Sequence, residues 1–248
     1  MTFKPKLSNS ISTSLAEQQR QQNKKEDALQ TTTKKEAPKF NDPAQATERI
    51  RIIFDDSGSM GIEKLKDARD GCVEFLRNCK INETAVAVHV MNPDYQTDVI
   101  DLKGLTTNLP ALSILIQKIK AAGGTPMYKT LKIAQYSKSS ATRFIVFSDG
   151  APNTDDEEKF KEQTILNAIE NKTPVDTVLI TDGYLTIHEN TREYILLKEL
   201  ADRTGGYFLI FNRNKVDFKS AFKYLAPSLR EKLSDGKVRL ALMAGELK

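Results

Sequence analysis

The sequence predicts an α/β domain with a doubly wound, mostly parallel central sheet flanked by helices. Three observations carry this reading. Short apolar runs stop abruptly at acidic or Ser-Asp-Gly turns, stretches of helical period separate those runs, and a polar segment without core material precedes them all. Strand and helix alternating in this way imply crossovers onto one parallel sheet that is buried on both faces. In such sheets ligands bind at the carboxyl ends of the strands, where the strand order reverses.

The first apolar run is Ile50–Phe54, which ends at Asp55 as a buried parallel strand does. Gly61–Cys79 then places Ile62, Leu65, Ala68, Cys72, Leu76 and Cys79 on one helical face. Ala85–Met91 and Thr97–Leu102 read as strands divided by the turn signal Asn92-Pro93-Asp94. Leu109–Lys120 and Pro126–Tyr136 read as helices split by Gly123-Gly124, and Phe144–Phe147 as a strand that stops at Ser148-Asp149-Gly150. Helix Glu157–Glu170, strand Val175–Ile180, helix Glu193–Arg203, strand Tyr207–Phe211 and helix Phe218–Tyr224 complete the series. Beyond Pro227, Lys237–Met243 alternates Val238, Leu240 and Leu242 and reads as an added strand.

These elements divide the 248 residues into a disordered polar tail at 1–46, one domain at 47–226 and a C-terminal extension at 227–248. The tail is rich in Gln, Ser, Thr, Lys and Asn, too polar to offset the entropy of ordering. It holds eight basic and five acidic residues, so the remaining 202 residues carry only +1 of the net +4. A near-neutral folded part argues against electrostatic nucleic-acid binding. No stretch approaches the ~18 apolar residues of a membrane span, and Met1–Lys6 leads into no apolar segment of a secretory signal. Cys72 and Cys79, on one predicted helix, would stand about 10 Å apart along its axis, too far for an unstrained disulfide. They read as core residues of a cytoplasmic protein.

Chemistry concentrates at the strand ends. Asp55, Ser57 and Ser59 form a D-x-S-x-S pattern where strand becomes helix, and alternate small oxygen donors there can aim at one point. Hard oxygen ligands suit Mg²⁺ or Mn²⁺, and no Cys/His cluster suggests zinc. Alone, the pattern is equally that of a capped helix start. Two further donors point to the same crevice: Thr125, in the loop Gly123-Gly124-Thr125-Pro126, and Asp149, at the end of the strand expected beside the first.

With these five residues the sequence resembles the von Willebrand factor type A (vWA) family. Its metal-ion-dependent adhesion site is D-x-S-x-S, then a loop Thr, then an Asp in a D-G turn. Asp55, Ser57, Ser59, Thr125 and Asp149 match that motif position for position. Leu197–Ala201 followed by Thr204–Phe208 is similar to the family's late helix and its return into the last strand. The resemblance spans roughly 47–226, and the stretch Asp149–Asp156 is similar to bacterial and phage intracellular members. It implies a Mg²⁺ held directly by the serines and Thr and by the aspartates largely through water. The implied function is binding of a partner's Asp or Glu without catalysis, with an adaptor role toward an AAA+ ATPase as one variant.

A metal-dependent phosphoester hydrolase is the rival reading. Haloacid dehalogenase-type phosphatases need a second carboxylate where this chain has Ser57, and no convincing match to a receiver's phosphorylated Asp and Lys is present. No G-x-x-x-x-G-K-[ST] phosphate loop occurs. His89 lies mid-strand and reads as structural, while His188 is a solvated loop residue at the right edge for a general base. Asp56, Asp182 and Asp155–Glu158 read as helix caps or solvent-facing acids.

Overall fold

The computed structural model describes residues 42–96, 104–153, 157–182, 190–214 and 221–227. Five strands, β1 (Glu48–Phe54), β2 (Thr84–Val90), β3 (Arg143–Ser148), β4 (Val175–Thr181) and β5 (Phe208–Asn212), form one sheet in the order β2-β1-β3-β4-β5. Every pairing is parallel. The helices are α1 (Gly61–Arg77), α2 (Leu109–Ile116), α3 (Met127–Gln135), α4 (Glu157–Glu170) and α5 (Arg192–Thr204).

Strand residues alternate between two cores, as the pleat requires. Ile50, Ile52 and Phe54 of β1 pack with α1, α2 and the segment Ala221–Ala226, whereas Ile53 packs with residues of α3, α4 and α5. Residues Arg51–Phe54 are all buried, which explains why β1 reads as a continuous run rather than an alternating one. Within the described residues the predicted strands and helices therefore form the doubly wound sheet, with bounds moved by a few residues.

Three differences have physical causes. Ile62 is 81% exposed rather than in the core, because a 3-10 turn at Gly58–Met60 precedes α1 and inserts Met60 in its place. Helix α1 stops at Arg77, two residues short of the expected Cys79. Helix α2 ends at Ile116 rather than Lys120: the chain tightens through Lys118 N–H to Leu115 O and Ile119 N–H to Ile116 O. Gln96 then takes both main-chain groups of Lys120, at 2.6 and 2.9 Å. The expected strands Thr97–Leu102 and Lys237–Met243, the tail up to residue 41 and the start of helix Phe218–Tyr224 lie outside the described residues.

Charged side chains are buried within strands as well. Arg51 donates to His89 Nε2 at 2.9 Å and to the carbonyls of Lys138 (2.7 Å) and Ser139 (3.2 Å). A guanidinium has no acceptor, so Nε2 of His89 must be the acceptor, and this histidine is structural as expected. At the amino end of the sheet Arg143 pairs with Asp176 at 2.8 Å and donates to Leu225 O at 2.8 Å. Asp176 also accepts from Tyr207 N–H. Cys72 and Cys79 are buried free thiols, and burial pushes Cys79 up to about 12 and Cys72 further still. Among the described residues no helix is long and apolar enough to cross a membrane.

Candidate metal centre

From β1 the sheet extends to β2 on one side and to β3 on the other, so the order reverses between β1 and β3. The chain leaves β1 at Asp55, whose N–H donates to Phe147 O of β3 at 3.0 Å. The Asp55 carboxylate is fully buried. It accepts Ser57 N–H at 2.8 Å and the Ser148 hydroxyl at 2.5 Å. Burial pushes its pKa up to about 6; the hydrogen bonds from Ser148 and Ser57 oppose the rise and the nearby charge of Asp149 adds to it.

Helix capping does not account for the two serines. Ser57 is the N-cap of the 3-10 turn yet makes no side-chain cap hydrogen bond, and Met60 holds the N-cap of α1. Instead the Ser57 and Ser59 hydroxyls lie 2.9 Å apart, and Ser59 donates to Asp149 Oδ1 at 2.8 Å. Asp149 Oδ2 is paired with the Lys64 ammonium of α1, which also lies 3.5 Å from Asp182. Ser59 is exposed whereas Asp55, Ser57 and Thr125 are buried, so the cluster opens on the Gly58–Ser59 side.

The third loop is fixed through backbone and amide groups. Gly58 N–H donates to Gly123 O at 3.1 Å, and Thr125 N–H donates to Asn153 Oδ1 at 2.7 Å. Gly123 has φ +71°, and a Cβ there would lie 2.2 Å from Asn92 Oδ1, so glycine is required on both counts. The Thr125 side chain is buried, and it shares no hydrogen bond with the other four candidate residues.

Asp56 departs from its reading as a cap or solvent-facing acid: it is fully buried. Its Oδ1 accepts Asn92 N–H at 2.9 Å and Asn92 Nδ2 at 3.0 Å, and its Oδ2 accepts Gln96 Nε2 at 2.6 Å. Asn92 Nδ2 reaches on to Gly124 O at 2.7 Å, and Ala122 N–H returns to Asp56 O. Asp56 thus ties the Asn92–Gln96 turn and the loop carrying Thr125 to the end of β1. Burial raises its pKa, against hydrogen bonds from Asn92 and Gln96 that lower it. Asp182 has a half-exposed side chain, as expected. His188 and residues 154–156 lie outside the described residues.

Whether this donor set suits a hard cation can be judged from its oxygen spacings. Adjacent vertices of an octahedron with bonds of ~2.1 Å are about 3.0 Å apart. The Ser57 and Ser59 hydroxyl oxygens, 2.9 Å apart, have nearly that separation. An ion could replace the Ser57–Ser59 hydrogen bond with little movement of these two oxygens. Among the described residues no group of three or more His, Cys, Asp or Glu gathers to hold a metal, so the candidate depends on its hydroxyls. Reading the sequence missed Lys64, Asn92, Gln96, Ser148 and Asn153. Only Ser148 and Asn153 had a signal, by adjoining the Asp149 turn.

Neither a protein-family model nor a curated protein matches the sequence. Solved structures are similar. The SpRpn10 VWA domain is 15% identical, with a TM-score of 0.53, over 73% of this chain and 96% of that one. Proximal thread matrix protein 1 from the mussel byssus is 17% identical, with a TM-score of 0.52, over 81% of this chain and 47% of its own. The chain therefore spans about half of that second protein. The fold is vWA-like, a Rossmann-like α/β architecture.

Proposed function

We propose that this vWA-like domain is a protein-interaction module, not an enzyme, that grips an Asp or Glu of its partner through a bound Mg²⁺ or Mn²⁺. The observation that carries the reading is the chain of oxygens from Ser57 through Ser59 to Asp149, which capping does not explain and which opens to solvent at Ser59. Bound there, the ion would supply an electrophilic coordination position for a carboxylate oxygen.

Ser57, Ser59 and Thr125 would hold it through neutral hydroxyls, with Asp55 and Asp149 behind waters. Ser148 and Ser57 N–H orient the Asp55 carboxylate, and Lys64 already offsets part of the charge on Asp149. Little negative charge then faces the ion, and an anionic partner group completes the set. Thr125 stands on a loop of its own, held by Asn153 and Gly58, so its hydroxyl can adjust as the carboxylate arrives. An AAA+ ATPase is one class of partner that the resemblance allows.

The test is titration calorimetry with Mg²⁺ and Mn²⁺. One ion per chain should bind, and Asp55→Ala or Asp149→Ala should abolish binding while circular dichroism shows the fold intact. Unchanged affinity in both variants would overturn the reading.

A further inference from the structure

Two grooves run along the exposed edge of α3. The first, of about 400 Å³, is lined by Asn92, Tyr95, Ile133 and the residues on either side of Thr125, Gly124 and Pro126. The second, of about 570 Å³, shares Lys129 and Ile133 with the first and continues to Tyr136 and Phe160. Lys129, Lys132, Ile133 and Tyr136 stand at helical positions i, i+3, i+4 and i+7, so they form one stripe. Core-facing residues would be expected at that spacing, yet Ile133 is 52% and Tyr136 66% exposed.

The stripe is also basic. Lys132 Nζ lies 4.6 Å and Lys159 Nζ 5.9 Å from the centre of the Phe160 ring, and among the described residues no acid lines the second groove. Among the described residues that line the two grooves, the one acid is Asp94, in the first. Lys159 and Phe160 join the stripe from α4.

We infer that this track is the specificity surface for the partner: it takes an acidic segment that carries a bulky apolar residue near the carboxylate gripped at the metal. The inference rests on the metal-grip reading for the position of that carboxylate. Charge complementarity argues for acids opposite Lys132 and Lys159, and continuity with the Thr125 loop sets the distance. From the start of α3, Ile133 is about 9 Å and Tyr136 about 14 Å along the axis. An extended chain covers these spans in about three and four residues. The apolar residue should therefore follow the anchoring acid by three or four positions, with further acids beside it. A track lined by an aliphatic side chain, and starting at a carboxylate site, favours a peptide over a nucleic acid.

A displayed library of twelve-residue segments with one fixed central Asp tests this. Selection on the full chain in Mg²⁺ should enrich a bulky apolar residue three or four positions from that Asp, with additional Asp or Glu. The enrichment should vanish on Tyr136→Ser and on Ile133→Ser, two exposed positions where Mg²⁺ affinity should stay within twofold. Enriched segments should bind Lys132→Glu about tenfold more weakly. Lack of any enrichment, or enrichment that both serine variants preserve, overturns the surface. So does tighter binding of a fifteen-residue oligothymidine that Lys132→Glu abolishes, since the track would then serve nucleic acid. Enrichment that persists in EDTA and is lost in Tyr136→Ser would keep the surface and refute the metal grip. Loss in EDTA alone would do the reverse.

Discussion

Replacing Asp56 by Ala should destabilise the domain, although Asp56 is not one of the motif residues. Its carboxylate is fully buried and accepts three hydrogen bonds, from Asn92 N–H, Asn92 Nδ2 and Gln96 Nε2. Two of these donors have another acceptor, Gly124 O for Asn92 and Lys120 O for Gln96. The Asn92 N–H does not, and a buried orphan donor costs about 1–3 kcal/mol. Loss of the two charge-assisted side-chain bonds adds about 1.5–3 kcal/mol each, and relief of the buried carboxylate's desolvation offsets several kcal/mol. The net loss should be about 3 kcal/mol, or roughly 6–12 °C in Tm for a domain of this size. Urea unfolding followed by circular dichroism, with EDTA present, measures it. Asn92→Ala and Gln96→Ala should each cost less, and either combined with Asp56→Ala should cost less than the sum, because they share one network. A change below about 1 kcal/mol for Asp56→Ala would refute the reasoning.

Two other predictions concern the charges at the site. The pKa of Asp55 is raised in the fold to about 6, so between its unfolded value and 6 the folded state binds more protons. Metal-free stability attributable to Asp55 is therefore greatest below pH ~4 and falls by up to about 3 kcal/mol as pH rises through 6. Asp55→Asn should flatten that slope in urea titrations at pH 4.5 to 7, and an unchanged slope would count against it. Lys64→Met removes a positive charge from Asp149, which acts on a divalent ion by on the order of 1 kcal/mol even at the dielectric of water. Calorimetry should then show Mg²⁺ binding several-fold tighter, and weaker binding would contradict the role given to Lys64.

The doubly wound sheet was legible because buried parallel strands leave a local mark. Ile50–Phe54 and Phe144–Phe147 are buried on both faces, apolar but for Arg51, and stop where the chain leaves the sheet. Their adjacency, which brings Asp55 and Asp149 together, follows from crossover rules rather than from either segment alone. Ser57 and Ser59 were legible from spacing, since two residues of tight turn return a side chain to the same side. Asp56 was not. An acid after a strand looks like a cap, and its partners Asn92 and Gln96 lie 36 and 40 residues on, within what reads as an ordinary turn. Neither the burial of Arg51 nor the exposure of Ile62 has a local mark. Arg51 is buried through partners on β2 and after α3, and Ile62 is displaced from the core by a 3-10 turn that periodicity does not register.

The central claim is that one cation sits among Asp55, Ser57, Ser59, Thr125 and Asp149. Diffraction from crystals grown with Mn²⁺, recorded at a wavelength where manganese scatters anomalously, locates the ion without reference to activity or partner. The account predicts a single anomalous peak per chain, in contact with the Ser57 and Ser59 hydroxyl oxygens, and its loss in Asp149→Ala crystals. A peak among Glu63, Asp67 and Asp182 instead, or no peak at saturating Mn²⁺, would contradict it.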